Sequence, residues 1–159
     1  MGEVRIGQGF DVHPWALGRP LKLAGVLFEG EEGLQGHSDG DAVCHAVADA
    51  LLGAAVMGDV GMHFPEDDPQ MADITGSDLL TRTAALLEAS GFAPVSVDLT
   101  VICERPSIAP RRGEMREALA AALSLSTERV SVKATRPEGL GLSGEGVGCM
   151  AIATISEIR

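Results

Sequence analysis

The chain has 159 residues, 45% hydrophobic and 22% charged, with a formal net charge of −11. That length suits one domain with a substantial core, read here as residues 1–159, and leaves too little for two. So acidic a surface disfavours nucleic acid, no apolar run is long or pure enough to cross a bilayer, and the charged opening MGEVRIG does not read as a secretory leader, so the cytoplasm is the expected compartment.

In chain order, residues 4–8 (VRIGQ) predict a short strand leading into GFDVHPW, where Gly9 and Pro14 punctuate the backbone around Asp11 and His13. Alternate side chains of an extended segment point the same way, so Asp11 and His13 can reach one point. LKLAGVLFEG predicts a hairpin turning at Ala24-Gly25, followed by the loop EEGLQG. The stretch Gly36 to Gly58, GHSDGDAVCHAVADALLGAAVMG, opens with metal-capable groups and runs into a helix apolar nearly all round, which should be buried. Asp41, His45 and Asp49 follow one another at one-turn spacing along it. Two prolines and five carboxylates make DVGMHFPEDDPQMAD a surface loop carrying one exposed aromatic, Phe64.

SDLLTRTAALLEASG predicts an amphipathic helix with Ser77 or Asp78 as N-cap and Gly91 as terminator. PVSVDLTVICE alternates as a long strand, RRGEMREALAAALSLS gives a third helix and RVSVKAT another strand. VGCMAIATISEI, apolar on both faces for much of its length, belongs at the centre of a sheet or at a subunit interface. Cys44, Cys103 and Cys149 are odd in number, far apart and set in apolar sequence, which suits reduced core thiols. The expected fold is a two-layer α+β domain: a mixed sheet with about three helices on one face, its other face covered by packing of subunits.

Asp11, His13 and His45 form a candidate set of one carboxylate and two imidazoles, the catalytic pattern for zinc when a fourth position stays open. Two other readings use the same groups. His37-x-Asp39-x-Asp41 with His45 could build a two-metal site that activates water, as in a phosphohydrolase, and a structural zinc would need a fourth protein ligand. His37 and Ser38 precede the central helix, where phosphate is favoured, while Asp41 and Asp49 either orient the metal histidine or serve as caps. An anionic substrate on so acidic a protein calls for bound cations.

RIGQGFDVHPW, GHSDGDAVCHAVADALLGAAVMGDVGMHFPEDDP and VKAT followed by EGLG resemble, in order and spacing, the motifs of the 2-C-methyl-D-erythritol 2,4-cyclodiphosphate synthases of the non-mevalonate isoprenoid pathway. The resemblance implies a homotrimer with active sites between neighbouring subunits, in which 4-diphosphocytidyl-2-C-methyl-D-erythritol 2-phosphate is cyclised and CMP released. It places zinc on Asp11, His13 and His45, and magnesium or manganese on Glu138. Phosphate then falls to His37, Ser38, Thr135 and Arg136, with His37, Thr135 and Arg136 as the catalytic set. The methylerythritol wall comprises Asp59, Val60, Gly61, Phe64, Pro65, Glu66 and Asp68. The cytidine pocket comprises Cys103, Pro106, Ser107, Ile108 and Ala109, and Ala134 is a further substrate-binding residue. Arg136-Pro137 stands where the family usually has further threonines, and an arginine there can still hold phosphate charge. At the trimer axis, where relatives can hold an isoprenoid diphosphate, the matching positions are Leu142 and Glu145, and a carboxylate there is expected to repel such a ligand.

Overall fold

In the computed structural model, which describes residues 2–141 and 144–158, Val4–Leu23 form one strand of 20 residues, β1, in place of the short strand expected at 4–8. Neither Gly9 nor Pro14 breaks it. Gly9 pairs with Ala151 inside a continuous antiparallel ladder to the last strand, and Pro14 falls at the final pair of that ladder, opposite Gly146. Beyond Pro14 the strand changes partner and pairs with β2 (Val26–Leu34), passing an irregularity at Pro20. The hairpin turns at Ala24-Gly25 as expected, both residues left-handed at φ 57° and 76°, the requirement of a tight two-residue turn.

The central helix, α1 (Ala42–Ala54), is buried along most of its length. Its N-cap is Asp41, fully buried, whose carboxylate accepts from Cys44 N in the helix and from Ala24 N and Gly25 N in the hairpin turn. Burial pushes this carboxyl above the ordinary range, against the pull of the three backbone donors. One side chain thus caps a helix and pins a turn 16 residues away. Asp41→Ala strands those N–H groups and should cost about 2–3 kcal/mol, read as a lowered denaturation midpoint at unchanged m-value. Asp41→Asn, which keeps an acceptor, should lose less.

The anticipated surface loop carries a four-residue helix, α2 (Val60–His63), and a single 3₁₀ turn at Pro69–Met71. Phe64 is buried rather than exposed, because the turn after α2 folds it under the loop and onto the core. Helix α3 (Gly76–Ala89) starts earlier than expected: Thr75, and neither Ser77 nor Asp78, is its N-cap, with Oγ1 accepting from Asp78 N at 3.1 Å. Strand β3 (Phe92–Ile102), helix α4 (Arg112–Leu123), strand β4 (Val130–Thr135) and strand β5 (Gly146–Glu157) complete the chain. The sheet order is β2-β1-β5-β3-β4, with β3 and β4 parallel and the other neighbours antiparallel. This is a mixed sheet of α+β type, and the doubly apolar β5 lies near its centre. All three cysteines are free and buried.

Odd-numbered residues of β1 face α1. An added Cβ at Gly7 would lie 2.0 Å from Ala50 O, and one at Gly9 only 1.8 Å from Ala46 O, so the helix backbone rests directly on the strand. The even-numbered residues Val4, Ile6, Phe10 and Val12, with Met150 and Ile152 of β5, leave an exposed apolar strip on the opposite sheet face.

Candidate active site

The alternation that turns Gly7 and Gly9 toward α1 turns Asp11 and His13 to the same side, just beyond the point where the helix begins. One residue before the contact at Ala46, His45 projects from α1 to meet them. His13 Nε2 lies 2.6 Å from Asp11 Oδ2, His45 Nδ1 lies 3.2 Å from the same oxygen, and the two ring nitrogens are 3.2 Å apart. Three donor atoms at such separations resemble the face of a zinc tetrahedron, whose edges are about 3.3 Å for Zn–N bonds near 2.0 Å. Among the described residues this is the one cluster of three or more potential metal ligands, and no fourth carboxylate, histidine or cysteine joins it.

Both rings are oriented from behind. His13 Nδ1–H donates to the Gln35 carbonyl at 2.6 Å, leaving Nε2 to the cluster, while Gln35 N–H donates to Pro14 O and stitches the end of β2 to β1. His45 Nε2 lies 3.2 Å from Ser38 Oγ. Arg19 holds the intervening loop by donating to the Gly36 carbonyl at 2.7 Å and to the Ser38 carbonyl. Burial pushes the Asp11 carboxyl up, but hydrogen bonds and charge from His13 and His45 outweigh it and bring it down to about 2. Burial pushes His13 down, while the bond to Asp11, its charge and the Gln35 carbonyl raise it above the ordinary imidazole value. The cluster is therefore a strongly cation-seeking spot, and its donor set of two imidazoles and one carboxylate fits zinc.

The cluster opens on a cleft of about 280 Å³ whose lining includes His37, Ser38, Asp59, Gly61, Phe64 and Glu66. His37 is exposed and pairs with Glu66 at 3.2 Å across its mouth. Pro65 and Asp68 do not line the cleft; the Asp68 carboxylate instead accepts from Gln70 N at 2.9 Å. Asp49 does not support His45, since its Oδ1 accepts from Val60 N at 2.8 Å and anchors the start of α2 beside the cleft.

Asp39 and Asp41 are likewise committed elsewhere. Asp39 accepts from Asp41 N and from Gly76 N at the start of α3, and Asp41 is the buried cap described above. The two-metal reading of His37-x-Asp39-x-Asp41 therefore loses its carboxylates to backbone donors. A closed structural zinc lacks its fourth protein ligand among the described residues.

A second pocket, of about 190 Å³, brings together Cys103, Pro106, Ser107, Ile108 and Ala109 with Ala134, Thr135 and Arg136. Burial raises the Cys103 thiol to about 11, so it stays protonated and donates to Pro106 O. The loop is tied to the far side of the sheet by Arg105, which pairs with Glu31 at 3.2 Å and Glu32 at 2.9 Å and stacks 4.2 Å from the centre of the Trp15 ring. Sequence reasoning missed Arg19 and Arg105, because each acts on groups far along the chain.

The pocket and the cluster lie apart on one chain. Asp11 is level with Cys149, Cys149 with Val101, and Val101 with Ala134, so three strand spacings, roughly 14 Å, separate β1 from β4. Glu138, exposed on the loop after β4 at φ 56°, does not join the histidine cluster. Glu145 borders a separate hollow beside Val12 and Pro14, and Leu142 lies outside the described residues.

The chain matches the family model described as YgbB family over residues 4–157. It is 50% identical to a 2-C-methyl-D-erythritol 2,4-cyclodiphosphate synthase of Salinibacter ruber, over 96% of this chain and 98% of that protein. The corresponding enzyme of Desulfatibacillum aliphaticivorans is 47% identical, over 93% and 96%. A solved cyclodiphosphate synthase in a CDP-bound form matches with a TM-score of 0.88 at 34% identity, covering 96% of this chain and 100% of that one. The bifunctional IspDF of Campylobacter jejuni matches with a TM-score of 0.94 at 34% identity, over 100% of this chain and 44% of its own.

Proposed function

The chain belongs to the YgbB family, and from that premise we propose that it cyclises 4-diphosphocytidyl-2-C-methyl-D-erythritol 2-phosphate to 2-C-methyl-D-erythritol 2,4-cyclodiphosphate with release of CMP, a phosphorus–oxygen lyase reaction of isoprenoid precursor synthesis. The observation that carries this reading is the cluster of Asp11, His13 and His45, open toward a cleft and lacking a fourth ligand from the described residues. An oxygen of the 2-phosphate attacks the β-phosphorus, the bond from that phosphorus to the bridging oxygen breaks, and the electron pair leaves with CMP. No water is consumed.

Joining two anionic phosphates is opposed chiefly by charge, so the site must align the reacting atoms and absorb negative charge. Zinc on the cluster, with magnesium or manganese on Glu138, would supply that positive charge to the diphosphate oxygens. His37 and Ser38 bind and orient phosphate at the cleft, and Asp59, Gly61, Phe64 and Glu66 wall the methylerythritol end. Cys103 to Ala109 take the cytosine largely through backbone groups, while Thr135 and Arg136 hold the phosphates at that pocket.

One substrate must reach both pockets, which supports a site shared between subunits. The exposed strip of Val4, Ile6, Phe10, Val12, Met150 and Ile152 is the surface that three copies would bury about a common axis, seating the nucleotide pocket of one copy and its Glu138 beside the cluster of the next. Glu145 near that axis disfavours an isoprenoid diphosphate there.

Phosphorus NMR of the protein incubated with this substrate, zinc and magnesium is expected to show CMP and a cyclic diphosphate in equal amounts. Inorganic phosphate, or a linear product carrying solvent oxygen, would replace the cyclase with a hydrolase.

A further inference from the structure

The nucleotide pocket holds an arginine that the motifs do not point to. Arg112, the first residue of α4, lines it together with Arg136, and no carboxylate contributes to its walls. Both arginines line the pocket and are exposed to solvent. Most other described arginines are engaged: Arg5 with Glu3, Arg105 with Glu31 and Glu32, Arg111 with Glu114, Arg19 and Arg116 with backbone carbonyls. The side chains of Arg112 and Arg136 make no hydrogen bond or ion pair to another described residue, although the Arg112 backbone N–H donates to Ala109 O. In a chain of net charge −11, two guanidinium groups left without carboxylates on one small pocket make a local cation site in an anionic field.

We propose that Arg112 is a second phosphate-binding residue of this pocket, acting beside Arg136 on the phosphates of a bound cytidine nucleotide while the base sits among Pro106, Ile108 and Ala109. The proposal rests on the reading of the pocket as a cytidine site. Guanidinium forks suit phosphate, and the small, partly backbone lining suits a planar base. Arg112 thereby favours nucleotides over the nucleoside, and it holds the CMP product as well as the substrate.

The test is calorimetric binding of CDP, CMP and cytidine to the zinc-loaded full chain, for the unaltered protein, Arg112→Gln and Arg112→Lys. Arg112→Gln should weaken CDP about tenfold, the loss of one charge-assisted contact, and leave cytidine within about twofold. The dependence of CDP affinity on salt should also flatten, and Arg112→Lys should recover part of the loss. Unchanged CDP affinity in Arg112→Gln, or equal weakening of CDP and cytidine, overturns the role of Arg112 while leaving the pocket's assignment intact. Failure of the unaltered protein to bind CDP or cytidine overturns that assignment and this proposal together. An exposed side chain without protein partners can be replaced without unfolding, which an unchanged melting temperature would verify.

Discussion

Replacing His45 with alanine is expected to lower turnover by at least about 10³-fold and to abolish the zinc binding proposed for the cluster, with the fold kept. Only Asp11 and His13 would remain as ligands, and two donors do not hold zinc tightly. The fold should survive because Ala46, Val47, Ala50 and Leu51 keep the helix in the core. Alanine is also a stronger helix former than histidine. Zinc content by atomic absorption, turnover by CMP release and a thermal melt together check this. A variant that stays folded and retains both zinc and turnover would show that the ion is held elsewhere, and loss of zinc with turnover intact would make the metal dispensable.

Gly9→Ala is expected to destabilise the protein by about 4 kcal/mol or more, a fall in melting temperature of roughly 10 °C or beyond for a chain of this size. The new methyl would lie 1.8 Å from Ala46 O and 2.8 Å from Ala50 N, and both are helix backbone that cannot rotate aside. Helix α1 must therefore lift from β1. Because His45 precedes Ala46 and Asp11 follows Gly9 by two residues, the same displacement spreads the metal cluster, and zinc affinity should fall with stability. Gly113→Ala is the control: nothing lies within 4 Å of a Cβ there, and its position in α4 favours alanine, so the change should be neutral or stabilising by up to about 1 kcal/mol. Equal effects at the two glycines would remove close helix–strand packing as the cause.

Both predictions concern the junction of β1 and α1, the part of the site most legible in the sequence. Alternation along GFDVHPW put Asp11 and His13 on one face whatever the strand's length, and a histidine on a helix apolar nearly all round implied that the ring had a partner. Side-chain period and burial are local properties, and they survived even though the strand proved longer than expected. The hairpin at Ala24-Gly25 was legible for the same reason, since turn chemistry acts over a few residues. The roles of Cys103 to Ala109 and of Thr135 and Arg136 came from family resemblance and not from any local signal, and their meeting in one pocket came from the fold.

What the chain alone left open were the choices made between distant segments. Asp39 and Asp41 were open to a two-metal reading, and Asp41 and Asp49 to orienting the metal histidine. Their backbone donors come from Gly76, from Ala24 and Gly25, and from Val60, and only the packing of those segments takes the three carboxylates out of contention. Phe64 read as exposed because its neighbours are charged, whereas its burial depends on how the turn after α2 closes over the core. Arg112 carries no motif; it enters the pocket because α4 begins beside the ends of β3 and β4. The sequence by itself determined which residues could share a face, and with that the two β1 residues and the helix of the candidate metal cluster. The tertiary structure alone decided which of several chemically equal carboxylates was free to bind metal. A carboxylate accepts a cation or a backbone N–H with the same oxygens, and only the fold places one of them within reach.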